Sequence, residues 1–203
     1  MKNIDEQKHI VWAIAIGFIA PVFIQILSAL LWPPDFSGDV PHYDPNSLIG
    51  SEIAVALMIF GSTLMGIKLA DEKRVMPSAG FTMLAIANGV IFVIFFELIS
   101  QMNEESMAKG YTMLIGATIL QLPALFLISF YHKFPRWVNW LAMLSNAPTL
   151  TACILFYRGD RNYDKMEFIN LSGYLMFAAS QVCWGVFVLK EFYKKRKGEK
   201  ISG

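Results

Sequence analysis

The sequence predicts an all-α integral membrane protein, a single bundle of six transmembrane helices with both termini on the cytoplasmic side. Two observations predict it. Six apolar stretches, each matching the roughly 20 residues that cross a bilayer, occupy most of the 203 residues, 55% of which are hydrophobic. The basic residues also alternate. Thirteen lysines and arginines fall with the two ends and the even-numbered loops, and four with the odd-numbered loops. The positive-inside rule makes the first side cytoplasmic. Acidic residues have the opposite bias, so a net charge of +1 conceals one face of about +7 and another of about −4.

The first span, residues 10–32, follows Lys2 and Lys8 as a secretory signal would. Its apolar run exceeds the roughly 7 to 15 residues of such a signal and no Ala-x-Ala site follows it, so it is expected to be retained. The loop at 33–46 carries four prolines, which forbid a helix and favour an ordered cap of extended and turn segments. Asp39, His42 and Asp44 carry donors suited to a divalent metal, but in that context they read as Asx-type turns. The second span, 47–69, has a stripe of small residues, Ala56, Thr63, Gly66 and Ala70, with Glu52 on the same face; such a face is expected to pack on protein.

The third span, 78–100, places Asn88 and Glu97 half a turn out of phase, which predicts a central helix with protein on both sides. The fourth, fifth and sixth spans, 109–131, 138–157 and 168–192, complete one domain covering 1–203. Pro21, Pro123 and Pro148 sit inside spans and should bend them. Trp12, Trp32, Trp137 and Trp140 stand at span boundaries, where an amphipathic indole is most stable. The stretch Lys133-Phe134-Pro135-Arg136-Trp137-Val138-Asn139-Trp140, with its flanking spans and the long first loop, resembles the layout of several small six-span bacterial membrane families of unknown function. That resemblance implies no activity; a bacterial inner (cytoplasmic) membrane is the expected location.

Ionisable and amide groups inside spans are costly and point to cavities or partners. From the 1.5 Å rise, Glu52 and Glu97 lie ~9 Å and ~12 Å from their span centres towards the outer surface, and Gln25 and Tyr174 ~6 Å and ~7 Å in the same direction. Glu97 is near enough to its span end to reach headgroup water, which makes Glu52 the better functional candidate. Gln121, Asn146 and Gln181 form a second tier near the midplane, where interhelical hydrogen bonding is the default role of an amide.

Several chemistries are excluded. His9, His42 and His132 lie at boundaries or in loops, so no span offers paired haem ligands. The last span has no central lysine for a retinal Schiff base. The serines within spans have no membrane histidine or lysine as base, and no phosphate-binding glycine loop, His-Glu-x-x-His or Cys-x-x-Cys motif is present. No cofactor and no metal are expected.

The leading expectation is a protein that binds or translocates a cation, proton or small amphipathic molecule through an outward-facing polar pocket around Glu52. The alternative is a structural or regulatory subunit that docks partner chains without a ligand of its own. A third is a membrane enzyme acting on lipid or quinone, with Glu52, Glu97 and His42 as acid–base groups. Expected partners are membrane lipids, including anionic headgroups at Lys194, Lys195, Arg196 and Lys197, and a second copy or another membrane protein; nucleic-acid binding is not called for. The charge asymmetry makes one direct prediction. A Ser37→Cys variant should react with a membrane-impermeant thiol reagent on intact cells, and reaction only after cell opening would reverse the orientation.

Overall fold

The computed structural model describes residues 4–35, 42–100, 103–160 and 162–201, and these are helical apart from short connections. In chain order the helices are α1 (Ile4–Leu31), α2 (Pro45–Asp71), α3 (Val75–Ser100), α4 (Glu104–Ile128), α5 (Arg136–Leu144), α6 (Asn146–Tyr157) and α7 (Tyr163–Ile201). They make six units long and apolar enough to cross a membrane, α5 and α6 together forming the fifth.

The division falls three residues before Pro148, one of the prolines expected to bend its span. Pro148 has no N–H to give the Leu144 carbonyl, and its ring crowds the same turn. Ser145 keeps right-handed helical dihedrals, φ −59° and ψ −24°, and its Oγ donates to Ala142 O at 2.6 Å, while the Asn146 amide donates to Met143 O at 3.5 Å. Pro21 and Pro123, in contrast, lie within continuous helices.

Local chemistry sets the other boundaries. Asp44 caps α2 by accepting from Asn46 N at 2.8 Å, the Asx turn expected there, and Pro45 occupies the first helical position, so α2 starts two residues before the predicted span. Asp35 and His42 exchange backbone hydrogen bonds of 2.9 and 2.8 Å across the base of the proline-rich loop. Ser37 and Asp39 lie outside the described residues. Asn103 and Ser106 form a reciprocal capping box at the start of α4.

The helices close into a ring. Each packs on the next from α1 to α4, α4 packs on α5 and α6, these pack on α7, and α7 returns to α1. Accordingly α3 is not the central helix expected from its phasing: it stands between α2 and α4 with Asn88 buried and Ile86, Val93, Phe96 and Glu97 exposed. The small-residue stripe of α2 is likewise corrected. Ala56, Thr63 and Ala70 are exposed, while the buried face runs through Ala54, Val55, Met58, Gly61, Ser62, Met65, Gly66 and Leu69, about 100° round the helix. The contact that selects this face is Gly61 against Gly17 of α1, where a Cβ on Gly17 would stand 2.5 Å from Gly61 Cα.

The end of the ring holding Asp35 and His42 to Pro45 is here the loop end, and the other is the terminal end. At the terminal half the axis is filled by a buried aromatic cluster. Trp184 contacts Phe18, Phe81, Phe134 and Phe177 with ring centroids 5.6–6.1 Å apart, and Met58, Met65, Leu84, Leu125 and Ile128 pack in the same core.

The Gly17–Gly61 contact predicts a sign difference between two identical substitutions. Gly17→Ala should destabilise by about 1–3 kcal/mol through overpacking. Gly116→Ala, where an added Cβ meets nothing within 4 Å, should be neutral or stabilise by up to about 1 kcal/mol from helix propensity. Thermal unfolding of the two purified variants checks both.

Candidate functional site: a polar cavity in the loop-end half

The inward face of each helix is a stripe of three- and four-residue steps, and the stripes change character along their length. On α7 the sequence is Glu167, Asn170, Tyr174, Phe177, Gln181, then Trp184 and Val188. On α4 it is Thr118 and Gln121, then Leu125 and Ile128. The apolar ends meet as the aromatic core. The polar ends do not fill their share of the axis, and a cavity remains.

Its deep compartment, about 180 Å³, is walled by Gln25, Asn88, Gln121, Asn146, Tyr174 and Gln181 together with apolar side chains such as Met58 and Phe177. A mouth compartment of about 300 Å³ continues towards the loop end and shares Gln25, Phe95, Leu114, Asn170 and Tyr174 with the first. From Glu167 to Gln181 the wall of α7 extends ~21 Å at 1.5 Å per residue.

Most polar groups in the deep compartment have been satisfied locally. Asn88 donates to Leu84 O at 2.8 Å, Thr118 to Leu114 O at 2.8 Å, and Thr149 to Asn170 Oδ1 at 3.1 Å. Two are not. The Tyr174 hydroxyl and Gln181 Oε1 are buried atoms without a protein partner, and Gln181 as a residue is only 5% exposed. An unmade hydrogen bond of this kind costs about 1–3 kcal/mol, so these atoms call for an occupant that completes them.

At the mouth, Glu167 accepts a hydrogen bond from the Tyr43 hydroxyl, which ties the proline-rich loop to the start of α7. Burial holds the Tyr43 phenol well above its ordinary range, and the neighbouring Glu167 carboxylate and Tyr111 push the same way. Tyr111, on the same wall, stacks on Phe156 with centroids 4.3 Å apart.

The sequence-derived candidates separate into two groups. Gln25, Tyr174, Gln121, Asn146 and Gln181 converge on one cavity from α1, α4, α6 and α7. Glu52 and Glu97 are not on its wall: Glu52 is half-buried on the flank of α2, next to the wall residue Ser51 but rotated from it by about 100°, and Glu97 is exposed within electrostatic reach of Lys109. The polar pocket is therefore centred on the axis and not on Glu52, and the carboxylate at its mouth is Glu167. The sequence-derived span 168–192 stops one residue short of Glu167, because a hydropathy boundary falls at Phe168. Its signal was present nevertheless, since it stands seven residues before Tyr174 on the stripe that leads to Gln181.

Beyond the aromatic core, the terminal end holds a second space of about 480 Å³ bordered by Gln7, Val11, Lys68, Glu72, Val188 and Glu191. Glu191 pairs with Lys133 and accepts from the Tyr131 hydroxyl at 2.9 Å, and the Arg74 guanidinium lies 5.5 Å above the Tyr131 ring. Among the described residues no group of three His, Cys, Asp or Glu side chains is placed to hold a metal ion. Comparison with protein-family models, with characterised proteins and with solved structures finds no match to this chain.

Tyr131 gives a pH prediction. Burial, with Glu72 adding to it, raises its phenol from 10.0 to about 12, against the opposing pull of Arg74. The folded state therefore holds this proton more tightly than the unfolded chain, and the associated stability is present below pH 10 and lost as pH rises towards 12. In melting curves across that window, Tyr131→Phe should show a shallower decline than the unsubstituted protein.

Proposed function

We propose that this chain is a polytopic protein of a bacterial inner membrane, with both termini cytoplasmic, that binds or translocates a small amphipathic solute through the axial cavity from its outward face. The charge asymmetry of the loops supports the orientation, and the six apolar helices support the membrane location. The observation that carries the functional reading is the pair of unpartnered buried groups, Tyr174 OH and Gln181 Oε1, on the wall of a cavity whose other amides and hydroxyls come from five helices. Ser62 Oγ, Asn139 Oδ1 and Trp184 Nε1 are buried without a partner as well, but none of them borders the cavity, whereas Tyr174 OH and Gln181 Oε1 stand on its wall, where an occupant can complete them.

The fifth span supports the same reading, since Ser145, Asn146 and Thr149, which flank Pro148, all border the cavity.

The test exploits a trade of stability against function. Gln181→Met keeps the volume and removes the unpaired carbonyl, so it should raise the melting temperature, by an amount equivalent to about 1–3 kcal/mol, while solute binding or proteoliposome flux falls at least about tenfold. Glu52→Gln, off the wall, should cost less. If Gln181→Met instead lowers stability and leaves every solute response intact, the amide is structural, and the docking-subunit reading replaces this one.

A further inference from the structure

We propose that the solute is a small organic ammonium, its charge received by Glu167 and Tyr43 at the mouth and its uncharged, hydrogen-bonding body lying inward against Asn170 and Tyr174. This rests on the cavity reading above and adds the chemical class of the occupant.

The first support is the distribution of charge. Of the residues bordering either compartment, Glu167 alone carries a formal charge. Among the described residues no lysine or arginine forms an ion pair with it. Its neighbour Tyr43 donates a hydrogen bond but brings no positive charge. A half-buried carboxyl with a donor but no counter-ion is incomplete: its removal from water is compensated either by a proton or by an arriving opposite charge, and an ammonium supplies the second.

The second support is what the inner part of the cavity lacks. Its polar groups are neutral amides and hydroxyls, so a second charge on the occupant would be left uncompensated there. A body with O–H or N–H donors, in contrast, would satisfy the Tyr174 hydroxyl, seven residues or ~10 Å inward of Glu167, and further in Gln181 Oε1. Beside the Ser47 and Ser51 hydroxyls, Phe95, Leu98 and Tyr111 give the mouth an apolar and aromatic wall that suits the methylenes around an ammonium and its attraction to ring faces. A hard divalent ion fits poorly, because one carboxylate falls short of the six to eight oxygen ligands of Ca²⁺ or the near-octahedral set of Mg²⁺.

The experiment uses the purified full-length protein and calorimetric titration with alkanolamines of two to five carbons, each paired with the diol in which a hydroxyl replaces the ammonium. An alkanolamine should bind at least about tenfold more tightly than its diol, since charge-assisted hydrogen bonds are roughly twice as strong as neutral ones. Glu167→Gln should remove the preference, Glu167→Asp should keep it, and Gln181→Met should weaken both classes together. Equal binding of amine and diol, or a preference that survives Glu167→Gln, overturns the ammonium assignment and leaves the cavity reading in place. Absence of binding by either class, with Gln181→Met changing only stability, overturns both. Should Glu167→Gln not fold, the amine-to-diol ratio of the unsubstituted and Glu167→Asp proteins decides the matter.

Discussion

A closed ring of six helices leaves a space along its own axis, and the filling of that space by Trp184 is the interaction on which the rest of this structure depends. Protein interiors are packed to the density of organic crystals, so the axis must be occupied by side chains or by something else. In the terminal half Trp184 reaches Phe18, Phe81, Phe134 and Phe177, drawing α1, α3, the α4–α5 connection and α7 onto one buried centre. Phe81 and Phe134 also contact each other, and Phe134 contacts Tyr131, which extends the cluster to the charged groups at the terminal end. With that half full, the bundle is anchored, and the loop-end half is free to remain unfilled.

The fifth span borders the loop-end half with a polar face. Ser145, Asn146 and Thr149, spaced i, i+1 and i+4, lie on one side of it and reach the cavity together. Gly173 of α7 makes this possible. A Cβ there would meet the Ser145 carbonyl oxygen at 2.5 Å, so a glycine lets α7 lie directly on this part of the fifth span. The backbone at Ser145 is thus covered by α7, with Thr149 bonded to Asn170 a turn further on. Packing, backbone satisfaction and cavity geometry are consequences of the same few residues.

Much of this was legible in the sequence, for identifiable reasons. Apolar stretches of membrane length give the helices, because lipid imposes continuous hydrogen bonding on the backbone. Gln25, Gln121, Asn146, Tyr174 and Gln181 stood out because an amide or hydroxyl within an apolar run needs a partner. Glu52 and Glu97 stood out by the same logic but are displaced from the axis, because depth along a helix is readable from sequence whereas rotation about it depends on neighbours. The Gly17–Gly61 contact fixed the rotation of α2, and nothing in α2 alone distinguished Gly61 from the equally small Ala56 or Thr63. Glu167 was missed for the converse reason: its rotation was right, on the stripe of Tyr174 and Gln181, but its depth placed it beyond a hydropathy boundary. Phase and depth have to be read together, and the heptad that ends at Val188 would have supplied the phase.

The two halves of the axis also constrain what kind of passage is available to a solute. The deep compartment ends at Phe177 and Gln181, and Trp184 follows three residues later, ~4.5 Å further along α7. On the far side Val11 and Val188 border the terminal-end space, so on both α1 and α7 the aromatic core separates the two spaces. A solute that stays at the polar end needs no movement of that core. A solute that crosses has to displace Trp184 from four ring contacts, each contributing about 0.5–1.5 kcal/mol beyond area burial, or on the order of 2–6 kcal/mol together. A barrier of that size is too large for an open channel and modest for a carrier that rearranges once per solute. The same residue that anchors the ring therefore decides between a receptor-like pocket and a transport cycle, and the glycine contacts at Gly17–Gly61 and Gly173, where backbones slide without side chains to unlock, are where such a rearrangement would meet least resistance.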